Sequence, residues 1–180
     1  MTLNAILCEG AAEQAILDIL IENDALIIKK TTLFEGQTLR VRCGDSFFNK
    51  YMRRELDEKV TIYRILDSKK ENFKLSSRIK KEFSGKYDVY NVITSPEIEM
   101  LIIISEGKYN EYIKLKSGMK PSKYCKQVLK FKNVKEYKFI EQYFSDINKL
   151  KNAIAQYHTL KGKYETDDNS LTLYDLLENK

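Results

Sequence analysis

Histidine is almost absent from this 180-residue chain, where His158 stands alone. A histidine-based metal centre is thereby excluded. Cysteine is scarce as well: Cys8, Cys43 and Cys125 are odd in number, far apart and free of any CxxC pair, which argues against a disulfide framework and against a zinc site. No apolar run reaches the roughly eighteen residues of a membrane span. The N-terminus lacks a charged region followed by a signal-type apolar segment, so a cytoplasmic protein with no membrane partner is expected. No GxxxxGK(S/T) loop occurs, and the chain therefore brings no ATP motif of its own. Any metal would have to be held by carboxylates alone, which points to a hard ion such as magnesium or manganese.

What is present bounds the fold. A hydrophobic content of 43% in 180 residues suffices for one compact domain with a real core. The net charge of +5 is unevenly spread, because residues 108–138 hold ten lysines and two acids, a local balance of +8 against about −3 for the remainder. Tyr109, Tyr112, Tyr124 and Tyr137 are interleaved with those lysines, as a surface that handles phosphates and bases requires. A solvated helix face is the competing reading, and composition does not separate the two.

The first half of the chain alternates between strand and helix patterns. "NAILC" reads as a short buried strand, Gly10 as a turn, and residues 11–23 as a helix whose Ala12, Ala15, Ile16, Ile19 and Leu20 recur at helical spacing. "ALIIKKTTLF" is open to a strand assignment, and "TLRVRC" alternates with period two. Asp45 is placed to cap a helix over 46–56. "KVTIYRIL" is the most strand-like run and ends at Asp67; a helix over about 72–83 follows, and then the strand-like "YDVYNVI". Strands separated by helices predict an α/β fold with a mostly parallel central sheet, whose ligands bind beyond the carboxyl ends of the strands. Glu9 and Asp67 fall at those ends.

After Pro96 the pattern changes. Residues 98–112 are an apolar run whose period does not choose between helix and strand; Pro96, with Glu97 and Glu99 close behind, favours a helix start. Pro121 and Ser122 open a further helix, 136–162 holds one or two more, and "SLTLYDLLEN" is expected to form a short terminal one. No repeat, low-complexity linker or clear boundary separates these helices from the α/β part.

Weighed singly, the acids differ. Glu9 closes an apolar strand just before a glycine, where a carboxylate buried without a cation is costly, so it is read as functional. Glu13 is read as a helix-start acid, and Glu97 likewise. Asp67 is either a solvated turn residue or the partner of Glu9. Glu99, among Ile98, Met100 and Leu101, is placed where an idle charge is disfavoured. His158 in "AIAQYHTLKG", near a helix end, is read as a favourable dipole contact or plain exposure rather than a general base. Cys8, next to Glu9, is read as a small buried apolar residue, because an anion nearby raises a thiol pKa.

Three stretches together, "CEGAAEQAIL", "ILDSKKENF" and "SPEIEMLIII", resemble the Toprim domain shared by topoisomerases, primases and a set of nucleases. The resemblance is closest to the RloB-like branch, associated with prokaryotic abortive infection and anti-phage defence; "KPSKYCK" and "LTLYDLLE" echo it more weakly. It implies a Toprim-like α/β core over 1–107 and a mainly helical, basic part over 108–180 packed on that core within one domain. It places Glu9, Asp67 and Glu99 as metal ligands and catalytic acids. One departure stands out: the second motif is usually Asp-x-Asp, and its second acid is here Lys69. That leaves either a single magnesium or manganese ion with Lys69 on a phosphate, or an inactive domain. The activity implied is metal-dependent phosphodiester cleavage of nucleic acid, RNA (including tRNA) or DNA, in anti-phage defence. Lys114, Lys116, Lys120, Lys123, Lys126 and Lys130 would hold the polymer backbone without reading sequence. An inactive nucleic-acid- or partner-binding module, an effector triggered by an ATPase or sensor protein, and an unrelated phosphate-handling α/β enzyme are the competing expectations.

Overall fold

A computed structural model describes residues 3–53, 58–66, 74–94, 98–161 and 170–178. Its centre is a five-stranded sheet, every pairing of which is parallel: β1 (Leu3–Cys8), β2 (Leu39–Arg40), β3 (Val60–Leu66), β4 (Tyr87–Ile93) and β5 (Ser170–Thr172), in the order β2-β1-β3-β4-β5. The protein is thus α/β with helices on both faces. The chain moves outward from β1 to β2 and then returns to the other side of β1 for β3, so strand order reverses between those two neighbours. A crevice at the carboxyl ends of the strands is the expected ligand position at such a reversal.

Period-two alternation divides the core into two layers. Ala5 and Leu7 of β1, with Val60 and Ile62 of β3, pack on Phe47, Phe48, Ile79 and Phe83. Those partners lie on α2 (Gly44–Phe47), the π-helical turn Phe48–Met52, and α3 (Ser77–Glu82) with its C-cap. Ile6, Cys8, Ile65 and Val92 face the larger layer. That layer takes in α1 (Ala11–Glu22), α4 (Met100–Ser105), α5 (Tyr109–Ile113), α6 (Pro121–Gln127), α7 (Tyr137–Tyr143), α8 (Ile147–Lys161) and α9 (Leu173–Leu176). It runs from Ile6 to Leu177, so one apolar cluster joins residues on both sides of position 107. Among the described residues no helix is long and apolar enough to cross a membrane.

Several sequence expectations change here. "ALIIKKTTLF" forms no named strand; Lys30–Thr32 and Phe34–Gly36 are short 3-10 turns, and Asn4 meets Leu33 through one isolated bridge. Positive φ at Glu35 and Gly36 turns the chain just after that run. Asp45 does not cap the helix that starts at Gly44. Its carboxylate instead accepts from the Ser76 N–H at 2.9 Å, which holds its pKa below the usual carboxylate value. Ser76 in turn caps α3 by accepting from the Ile79 N–H. Residues 98–112 are two helices, because Gly107 at φ 66° ends the first. "SLTLYDLLEN" is not all helix: Ser170–Thr172 adds the edge strand β5 beside β4, and only then does Thr172 cap α9. Asp175 Oδ2 accepts from both the N–H and the hydroxyl of Thr172, at 2.8 and 2.7 Å.

Candidate functional site

At the carboxyl end of β1 the chain turns through Glu9 and Gly10 into α1. Gly10 is needed for space: its φ of −104° suits any residue, but a Cβ there would collide with the carboxylate of Glu13, which folds back over the turn. Around this turn lies a cavity of about 340 Å³, lined by Glu9, Glu13, Glu99, Arg42, Lys135 and Ile65 and by the Gly10–Ala12 backbone region. It occupies the strand-order reversal. Glu9 and Glu99, ninety residues apart in sequence, line one cavity; Glu13, one helical turn after Glu9 and read chiefly as a helix-start acid, joins them.

The charges are arranged in opposed pairs. Arg64 Nη2 stands 3.8 Å from Glu9 Oε1, with the arginine side chain 8% exposed and that of the glutamate 41%. Lys135 Nζ stands 3.5 Å from Glu99 Oε1, and here the acid is the hidden member, at 3% against 57% for the lysine. A carboxylate this deeply buried is strongly disfavoured without a nearby cation. Glu99 also starts α4 through its backbone, since its carbonyl accepts from the N–H groups of Ile102 and Ile103 at 3.1 and 3.3 Å.

Behind the turn, Cys8 is fully buried and its pKa is pushed well up, first by burial and then by the charges of Glu13 and Asp18. Burial is thus the main cause, and the contributing anions are Glu13 and Asp18 in place of the adjacent Glu9 that the sequence suggested. Asp18, on α1, accepts from the Thr38 hydroxyl at 2.6 Å and from the Tyr137 hydroxyl at 3.1 Å. Burial raises its pKa, an effect that the two hydrogen bonds partly oppose. Burial and the Asp18 charge push Tyr137 up to about 12.

Asp67 and Lys69 lie outside the described residues, immediately past β3, so the second-motif reading stays where the sequence left it. Lys114, Lys116, Lys120, Lys123, Lys126 and Lys130 are all exposed, on and around α6, and none lines the cavity. The interleaved tyrosines do not form an open stacking platform. Tyr112 and Tyr124 are buried and meet edge to face at 5.3 Å, and Tyr137 is tied to Asp18. Helical spacing turned those rings inward while the lysines went out. His158 is exposed, as one of the two sequence readings had it, and its ring stacks on Tyr174 at 4.2 Å beside a small apolar cavity of about 40 Å³.

Arg42, Arg64 and Lys135 were not picked out from the sequence. Arg64 carried a signal, a single cation inside the buried run "TIYRIL"; Lys135 carried none, being one lysine among ten. Among the described residues no three His, Cys, Asp or Glu side chains form a ready metal-holding group. The donor chemistry nonetheless suits magnesium, which is commonly held by one or two carboxylates together with substrate phosphates, and Glu9 and Glu99 share a cavity with room for such a ligand set. Comparisons with protein-family models, with curated proteins and with solved structures find no match to this chain.

Proposed function

We propose that this chain is a Toprim-like, magnesium- or manganese-dependent nuclease that cleaves phosphodiesters of RNA, tRNA included, or of DNA, as an effector of prokaryotic anti-phage defence. One observation carries the reading: three acids and two cations line a single cavity at the strand-order reversal, with a buried arginine on Glu9 behind them. Phosphate chemistry needs both signs there, carboxylates to hold a divalent ion and cations to hold the non-bridging oxygens.

Glu9 and Glu99 would hold the ion, with Asp67 as the third ligand that the sequence resemblance supplies. Bound there, magnesium or manganese supplies charge neutralisation on the phosphate and a lowered barrier to attack by water. The remaining work belongs to this chain's side chains. Arg64, fixed in β3, orients the Glu9 carboxylate. Arg42 and Lys135 approach from exposed positions and can meet a phosphate entering from solvent. The lysines around α6 hold the polymer backbone beyond the cavity.

A second reading is favoured by the pairing itself. With Glu9 on Arg64 and Glu99 on Lys135, the acids are already neutralised, as they would be in a binding module that no longer cleaves, or in an effector awaiting an ATPase or sensor partner. The test is incubation of the purified chain with total tRNA and with single- and double-stranded DNA, in magnesium, manganese or EDTA, beside Glu9→Ala and Asp67→Ala. Cleavage that needs metal and both acids is expected. Intact polymers in every metal-containing reaction would move the assignment to the binding module or the partner-dependent effector.

A further inference from the structure

The pair formed by Glu99 and Lys135 is unequal in a way that bears on how the site is used. The carboxylate is fixed: it is 3% exposed and follows the backbone that nucleates α4. The ammonium is 57% exposed and rides on a flexible four-carbon stem. Its backbone, by contrast, is held on both sides. Val134 is fully buried, the Glu136 N–H donates to the Asn133 carbonyl at 2.8 Å, and Tyr137 is hydrogen-bonded to Asp18 of α1 at 3.1 Å. Lys135 thus reaches into the cavity from a fixed base, and motion of its stem alone suffices to exchange Glu99 for another anion. It also lies near the end of the lysine-rich segment, the part of the chain best suited to bring a polyanion close.

A carboxylate this buried is costly to keep ionised without a cation beside it. Lys135 and a divalent ion are therefore competitors for Glu99. Resting on the phosphate-handling reading above, we propose that Lys135 is a resident counter-ion. It keeps Glu99 neutralised until a nucleic-acid phosphate enters, then moves to that phosphate and frees Glu99 for a divalent cation. Metal uptake and polymer binding are then coupled, and the coupling is reciprocal. The arrangement keeps the metal site closed while no substrate is present.

The full-length chain is titrated with magnesium by calorimetry, alone and with a saturating phosphorothioate-linked single-stranded oligonucleotide, which resists cleavage. In the unaltered protein the oligonucleotide is expected to tighten magnesium binding by about 5-fold or more, the lower end of ordinary coupling between sites. Lys135→Met is expected to bind magnesium tightly without the oligonucleotide and to lose most of the enhancement. Glu99→Gln, which keeps the shape and leaves no buried charge, serves if the lysine variant does not fold: it is expected to bind the oligonucleotide in EDTA yet show no enhancement. Unchanged or weaker magnesium binding in Lys135→Met overturns the proposal, as does enhancement that survives Glu99→Gln or the lack of any magnesium binding in the unaltered chain even with the oligonucleotide bound. Cleavage is scored separately on unmodified RNA and DNA. Coupling without cleavage removes the nuclease reading and leaves the coupling intact; cleavage without coupling does the reverse.

Discussion

Arg64 and Glu9 meet at 3.8 Å across two adjacent strands, the arginine buried in the sheet and the glutamate open to the cavity. The register explains the meeting: Leu7 is paired with Arg64, so Glu9, in the turn just past the end of β1, lies within reach of the arginine. A cation built into an inner strand is costly to desolvate, and the acid at the strand end offsets part of that cost. Arg64→Leu is expected to lower stability by about 1–3 kcal/mol, below the range for fully buried pairs because Glu9 is partly solvated. Denaturant unfolding reads that change. Oligonucleotide binding in EDTA should also weaken in the same variant, because the Glu9 carboxylate facing the cavity loses the countercharge behind it.

Asp18 predicts a dependence on pH. Its folded pKa is raised above the ordinary 3.8 by burial, so the folded state binds its proton more tightly than the unfolded chain does. The sign follows: the stabilising contribution is full below the unfolded pKa and is lost as pH rises through the folded one. Asp18→Asn removes this titration while leaving a side chain able to meet both Thr38 and Tyr137. Urea unfolding at steps from pH 4 to pH 7 should show a flatter profile for the variant; an identical slope would show that Asp18 does not contribute.

Gly10→Ala separates space from strain. The backbone at −104° tolerates a side chain, and the colliding group is the far end of the flexible Glu13 side chain. Stability is therefore expected to stay within about 1 kcal/mol. The displaced carboxylate should nevertheless alter the cavity, and magnesium affinity measured by calorimetry should shift severalfold while the melting temperature holds.

The exposed lysines predict a salt dependence. If Lys123, Lys126 and Lys130 each neutralise one phosphate of a single strand, replacing all three with alanine should reduce the slope of log affinity against log salt by about 2. Affinity measured at several salt concentrations supplies the slope. An unchanged value would place the polymer elsewhere on the surface.

Thr172→Ala tests the C-terminal return to the sheet. The substitution removes the hydroxyl that Asp175 accepts from and should cost about 1 kcal/mol. Thermal unfolding reads this directly.

Alternation of strand and helix patterns, the turn at Gly10 and the placing of Glu9 at a strand end were all legible in the residue order, because each depends on local period and on short-range turn chemistry. So were the helices at Pro121 and over 136–162. The run "SLTLYDLLEN" was not, since three residues of edge strand have no period of their own and gain their structure from pairing with Asn91, Val92 and Ile93. The tyrosines among the lysines were misplaced for a related reason: composition does not say which side of a helix faces the core, and packing put Tyr112 and Tyr124 inside.

The site divides the same way. That carboxylates alone were available for a hard cation followed from composition, and Glu9 and Glu99 stood out as charges in apolar surroundings. Which cations answer them was a matter of three dimensions. Arg64 reaches Glu9 through strand register, Lys135 reaches Glu99 across thirty-six positions, and Glu13 enters the cavity because Gly10 leaves room for it. Local sequence governs where a chain turns and which residues are too polar to be idle; the pairing of distant charges depends on how elements stack, and no local pattern encodes that.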